Sequence, residues 1–255
     1  MFKWDEYVVK EKSFESLSNR VFLVGPPGSG KTKFIGTCPK PLIINTEGGT
    51  LTLAGQKIPE IVFTFDRSKD IMKNMLEIVS MAKKREGLFE DIETLAIDSM
   101  AKLSKLYMDD AMRYQVRPSR DPLKEKPNFD HWGMLKNNLE HLVDELQALS
   151  ETGMHVVCTC GVSTEVEEAT GKYINVPLMD GKIRYVIPYG FDDVLGLEAK
   201  TIGKSTKYMC YSKNVGNYVG LKSRSDAAFE IEDPSFEKVR EALEAKKKST
   251  MEVEG

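Results

Sequence analysis

What this sequence lacks narrows it first. No stretch approaches the roughly 18–20 consecutive apolar residues of a membrane-spanning helix, so no membrane partner is expected. Residues Met1 to Arg20 are charged throughout and hold no apolar core, so a secretory leader is not expected and a reducing, cytoplasmic setting is. Four cysteines among 255 residues include no CxxC pair, which argues against a disulfide framework or a zinc site. Cys158 and Cys160 stand two apart in an apolar run and are expected as buried thiols on one face of a strand. The three histidines show no metal-ligand spacing. Charge of one sign is scarce as well: 36 basic residues against 39 acidic ones leave a formal net charge of −3. A chain so close to neutral has no broad basic surface, so any nucleic-acid contact must come from a local patch. Internal repeats and low-complexity tracts are also missing.

What is there reads as an ordinary folded chain. With 41% hydrophobic and 29% charged residues, the composition excludes collagen, mucin and wholesale disorder. At roughly 150 residues per domain, the length allows one large domain or two small ones. Short apolar runs alternate with longer helical patterns, which predicts an α/β fold with a mostly parallel central sheet flanked by helices. The runs are Val21–Val24, Leu42–Ile44, Ile61–Phe63, Thr94–Ile97 and His155–Thr159. Helical stripes run through Met72, Met75, Leu76, Val79 and Ala82, then Met100, Leu103, Tyr107 and Ala111. The cleanest is Leu135, Leu139, Leu142, Leu146 and Leu149, and all three are read as core. After residue 190 the pattern changes. Val194–Leu197, Tyr208–Tyr211 and Tyr218–Leu221 are expected as consecutive antiparallel strands on the C-terminal side. Pro234–Lys248 is expected as a last helix.

One segment carries chemistry outright. Gly25-Pro26-Pro27-Gly28-Ser29-Gly30-Lys31-Thr32 matches G-x-x-x-x-G-K-[ST] in full, directly after a strand-like run. Glycines let the backbone turn so that several N–H groups face one anion. Lys31 is then expected at the β- and γ-phosphates of a nucleotide, with the Thr32 hydroxyl on Mg²⁺. The helix that follows is expected to be short, because Pro39 stops it. A phosphate loop of this kind needs a further acid for the metal. Asp98 closes the run Leu95-Ala96-Ile97 and stands at the ligand edge expected of such a sheet. Glu47 ends another run in Asn45-Thr46-Glu47-Gly48-Gly49, where a carboxylate can orient water and accept its proton.

Taken in order, these elements resemble the phage-encoded, RecA-like nucleotide-binding proteins, often labelled AAA-family ATPases, that include single-strand annealing proteins. The resemblance spans roughly residues 18 to 231. Beyond the phosphate loop it rests on "NTEGG" at Asn45–Gly49, "TLAIDS" at Thr94–Ser99, Trp132-Gly133-Met134-Leu135, and "HVVCTC" at His155–Cys160. It continues through Gly181–Pro188, "FDDVLGLE" at Phe191–Glu198, and "LKSR" at Leu221–Arg224.

The resemblance implies a RecA-like core over residues 18–231, preceded by an extension at 1–17 and followed by a C-terminal helix and frayed tail at 232–255. It implies a Mg²⁺-dependent ATPase with Glu47 as the catalytic carboxylate. It implies that Lys222 and Arg224 act in trans on a neighbour's γ-phosphate, hence self-association into a ring or filament. Two DNA-binding loops are implied. The first carries Arg113, Arg117, Arg120, Lys124 and Lys126, with Phe129 and Trp132 at its end to stack on bases. The second, about Gly161 to Asp180, opens acidic with Glu165, Glu167 and Glu168. The expected partners are single-stranded DNA and phage replication or recombination proteins, in host cytoplasm. The other reading is an ATP-dependent switch on a protein partner, a helicase loader or packaging accessory, without DNA contact.

Overall fold

The computed structural model describes residues 19–63, 70–113, 126–203 and 205–251. The elements come in the order β1 (Arg20–Val24), α1 (Lys31–Ile35), β2 (Pro41–Asn45), β3 (Glu60–Val62), α2 (Ile71–Lys84), β4 (Thr94–Asp98), α3 (Met100–Arg113) and α4 (Phe129–Ser150). There follow β5 (His155–Cys160), β6 (Val162–Val166), β7 (Tyr173–Pro177), α5 (Ile183–Val186), β8 (Asp193–Ile202), β9 (Ser205–Tyr211), β10 (Lys222–Ser223), β11 (Glu230–Glu232) and α6 (Phe236–Met251).

Among the described residues, nine strands form one sheet in the order β11-β9-β8-β1-β5-β4-β2-β3, with β10 beside β8. The block from β8 to β3 is parallel throughout, while β9, β10 and β11 add antiparallel pairs. This is an α/β fold of the expected class. β6 and β7 form a separate antiparallel hairpin.

Strand periodicity sorts the apolar side chains into two layers. Phe22, Val24, Leu42, Ile44, Leu95, Ile97, Val156 and Cys158 face α2, α3 and α4. Their neighbours Val21, Leu23, Ile43, Ala96 and Val157 face α1 and α6, joining Phe34, Ile35, Phe236 and Val239. Both faces of the parallel block are covered, which is why its strands read as continuous apolar runs. The leucine stripe of α4 is buried in full. That helix begins before the stripe, because the Asn128 side chain accepts the His131 N–H and His131 Nδ1 accepts the Asn128 N–H, a reciprocal cap.

Two expectations are corrected. α1 ends at Ile35, before Pro39 is reached, because the Thr37 and Cys38 N–H groups go to the carbonyls three residues back, Phe34 at 2.9 Å and Ile35 at 3.0 Å, and the four-residue ladder stops. Tyr218–Leu221 is not a strand. Gly220 has φ +75°, and the Leu221 N–H goes to the Asn214 side chain at 2.9 Å instead of to a ladder. The aromatic and apolar residues there serve packing: Tyr218 and Leu221 fill the space beside Gly196. The strand that pairs with β8 comes just after, as Lys222–Ser223. At the other end, α6 runs on to Met251. No described helix is long and apolar enough to cross a membrane.

Candidate functional site

The segment between β1 and α1 is shaped by its glycines. Gly28 and Gly30 hold φ of +76° and +92°, a region that L side chains rarely adopt. Gly25 is required for another reason: a Cβ there would meet the Leu197 carbonyl oxygen and Ser29 Oγ, each at 2.5 Å. Ser29 Oγ is buried and has no hydrogen-bond partner. Lys31 folds back, its Nζ donating to the carbonyls of Gly25 at 2.7 Å and Pro26 at 2.9 Å. Burial pulls the Lys31 pKa below the ordinary lysine value, and the charges of Asp98 and Glu47 oppose that shift. An ammonium ion hydrogen-bonded to two loop carbonyls, in a partly desolvated place, suits an anion. With α1 only five residues long, the attraction comes from loop N–H groups and Lys31 rather than from a helix dipole.

The acids arrive from strands on one side of β1. Asp98, at the end of β4, accepts the Thr32 hydroxyl at 2.7 Å and also the Thr159 hydroxyl from β5. The Asp98–Ser99 peptide bond is cis. At the end of β2, Asn45 folds the next loop: its Oδ1 accepts the N–H groups of Glu47 at 3.1 Å and Gly48 at 2.7 Å. Thr46 ties that loop to β4, with the Ser99 N–H donating to Thr46 Oγ1 at 2.8 Å and Thr46 Oγ1 donating to the Ser99 carbonyl at 3.0 Å. Ser99 Oγ in turn donates to the Glu47 carboxylate. Glu47 is exposed at the same strand edge as the loop. Lys31, Thr32, Asp98 and Glu47, spread over 52 or 66 residues of separation across the two hydroxyl–carboxylate contacts, therefore converge.

The donor set fits a polyphosphate with a hard divalent cation. No group of three or more His, Cys, Asp or Glu side chains able to hold a metal exists among the described residues. A metal here would rest on the Thr32 hydroxyl and the Asp98 carboxylate, with phosphate oxygens and water completing the shell. That oxygen-only, substrate-dependent coordination is the one Mg²⁺ favours. Burial pushes the thiol of Cys160, at the end of β5, up to about 12.

The remaining candidates are placed elsewhere. Lys222 Nζ donates to the Tyr189 carbonyl at 3.2 Å, and Arg224 pairs with Asp192 at 2.8 Å. Asp192 also receives a two-point contact from Arg20, at 2.9 and 2.8 Å. Arg20 opens β1 and Asp192 precedes β8, so this cluster lies at the strand starts, while the phosphate loop lies at the strand ends. Neither cation is positioned for its own chain's loop. Arg113 is tied to Asp110, whose carboxylate also accepts the first two N–H groups of α2, from Ile71 at 2.8 Å and Met72 at 3.3 Å. Lys126 is exposed. Arg117, Arg120 and Lys124 lie outside the described residues.

Two exposed aromatic features share the loop's edge. α4 leads through a short turn into β5, so it runs antiparallel to that strand. Its 22 residues reach about 33 Å, against about 20 Å for the six of β5. Its first turn therefore projects past the strand ends, carrying Phe129, 90% exposed, and Trp132 one turn on. The β6–β7 hairpin leaves the same edge after Cys160, whose carbonyl accepts the Gly25 N–H. Its Tyr173 is exposed, and its Glu165 is paired with Arg184. Sequence reasoning missed Thr46 and Asp192, whose partners are distant in the chain, and Asp110, which pairs locally with Arg113 but reaches the start of α2 only through the fold.

A family model described as an AAA domain matches residues 17–225. No curated protein matches the sequence. Among solved structures, the crystal structure of the RadB recombinase is similar at a TM-score of 0.44 and 14% identity, covering 85% of this chain and 87% of that one. A likeness at that score carries no argument about function.

Proposed function

The chain belongs to the AAA domain family, and on that premise we propose that it is a RecA-like, Mg²⁺-dependent ATPase acting on single-stranded DNA in phage recombination or replication. The observation that carries the reading is the convergence of Lys31 and Thr32 with Asp98 and Glu47 at one strand edge, held by the Thr32–Asp98 contact of 2.7 Å. Residues Gly25 to Thr32 bind the phosphates, and Lys31 exchanges its two loop carbonyls for phosphate oxygens. Thr32 and Asp98 hold the cation, and Thr159 fixes the Asp98 carboxylate from the other side. Mg²⁺, when bound, neutralises phosphate charge and holds neighbouring phosphates in one geometry. Glu47 orients the attacking water and accepts its proton, while Ser99 and Thr46 keep its loop against β4.

Lys222 and Arg224 serve the neighbouring subunit's γ-phosphate, which makes hydrolysis depend on self-association into a ring or filament. Their distance from their own loop is what such a role in trans requires. Single-stranded DNA runs past the projecting first turn of α4, where Phe129 and Trp132 offer stacking faces and Lys126, together with the arginines of 113–120 and Lys124, offers charge. On this reading residues 18–231 form the ATPase domain, 1–17 extend it, 232–255 close it, and the protein works in the host cytoplasm.

The test is steady-state ATP hydrolysis with and without single-stranded DNA, using Lys31→Ala as the blank. Stimulation by DNA that the blank lacks is the expected result. Turnover indifferent to DNA would favour the second reading, a nucleotide switch acting on a protein partner. The engagement of Arg113 by Asp110 and the near-neutral charge favour that alternative.

A further inference from the structure

The hydroxyl and carboxylate groups of the site all stand on one flank of the phosphate loop. Asp98, Thr159 and Glu47 belong to or follow β4, β5 and β2, and the sheet order puts those strands on the same side of β1. A nucleotide is a linear molecule. If its γ-phosphate lies among these groups, its nucleoside leaves by the other flank, where β8 and β9 run.

On that flank the aromatic side chain of Tyr208 leans on the loop. A Cβ built at Gly30 meets the Tyr208 ring at 2.9 Å, and the Lys33 ammonium lies 4.7 Å from the ring centre. Tyr208 is held from its backbone: its carbonyl accepts the Asp233 N–H at 2.7 Å, and β9 pairs it with Ala199 of β8. The side chain is only half-buried, and it belongs to neither core layer. Cys210, two residues on, points into the α1–α6 layer, and strand periodicity brings Tyr208 out on that same face, beside the start of α1.

We propose that Tyr208 is the stacking surface for the base of the bound nucleotide, which takes the place of the Lys33 ammonium that lies over the ring. The inference rests on the reading of the loop as a nucleotide site and goes beyond it by assigning the nucleoside end. Stacking uses the face that every base has, so it favours the larger purines over pyrimidines without reading a hydrogen-bond pattern.

Equilibrium titrations of the full chain with MgATP and with magnesium tripolyphosphate separate the two ends of the ligand. Tyr208→Ala is expected to weaken MgATP about tenfold and to leave tripolyphosphate unchanged, whereas Lys31→Ala weakens both. Tyr208→Phe is expected to bind like the wild type. Tyr208→Leu, which keeps bulk against Gly30, is expected to behave like Tyr208→Ala. Equal weakening of both ligands by Tyr208→Ala with rescue by Tyr208→Leu would make Tyr208 a prop for the loop and overturn the proposal, as would unchanged MgATP affinity in Tyr208→Ala. A wild-type chain that binds neither ligand would overturn the nucleotide reading itself, and this inference with it.

Discussion

Replacing Asp98 separates what the buried carboxylate does for the fold from what it does for a ligand. Asp98 is 6% exposed and accepts two hydroxyl groups, from Thr32 and Thr159. Hydrogen bonds to a charged acceptor contribute about 1.5–3 kcal/mol each. Asp98→Ala leaves both hydroxyls without that acceptor and is expected to lower stability by about 3 kcal/mol. Asp98→Asn keeps the volume and one acceptor oxygen, so its cost is on the order of 1 kcal/mol. The two variants nevertheless share one defect. Without the carboxylate the cation loses its protein anchor, and the tightening of ATP binding by Mg²⁺ over EDTA is expected to shrink about tenfold or more. Denaturant unfolding reads the first effect and nucleotide titration in Mg²⁺ or EDTA reads the second. An Asp98→Asn variant that keeps the whole Mg²⁺ enhancement would refute the metal role. An Asp98→Ala variant as stable as the wild type would refute the hydrogen-bond reasoning.

Other expectations follow from single contacts. Leu139→Ala, at a fully buried position of α4, is expected to cost about 3 kcal/mol in denaturant unfolding. Asp110→Ala takes the acceptor from the first two N–H groups of α2, whose N-cap Asp70 remains, and takes from Arg113, 14% exposed, its carboxylate. The expected loss is about 2–4 kcal/mol, with faster amide exchange in the first turn of α2. Gly30→Ala meets both a φ of +92° and the Tyr208 ring, so nucleotide titration should show weakened binding. The Lys31 pKa is lowered by burial, so the proton leaves at a lower pH than from a free lysine. The phosphate-binding ammonium is therefore lost earlier on the alkaline side, and ATP affinity should fall as pH rises toward the ordinary value of 10.5. Because phosphate favours the charged form, binding in that range takes up protons, which calorimetry in buffers of different ionisation enthalpy detects.

The fold was legible where one-dimensional pattern and three-dimensional layer coincide. Leu42–Ile44 and Leu95–Ile97 are apolar throughout because both their faces are covered, and that shows in sequence directly. The G-x-x-x-x-G-K-[ST] segment is legible for the same local reason: its φ values and its Lys–Thr pair lie within eight consecutive residues. Tyr218–Leu221 misled because its aromatic and apolar residues pack as a strand's would, while the Asn214 side chain captures the backbone N–H that a strand would commit to a ladder. The first turn of α4 leaves little trace in the apolar pattern, because Phe129 faces out and the cap is an Asn–His pair rather than a Ser–Glu one. Contacts such as Arg20 to Asp192, separated by 172 residues, and Gly30 to Tyr208 depend on which strands neighbour β1. Only the assembled sheet supplies that order.

Equilibrium binding of MgATP to the full chain, wild type against Lys31→Ala, tests the central claim most directly. Calorimetry should give saturable binding at one site per chain for the wild type, and a large loss of affinity in a Lys31→Ala variant that remains folded. A wild-type chain without affinity for MgATP, or a Lys31→Ala variant that binds as tightly, would contradict the account.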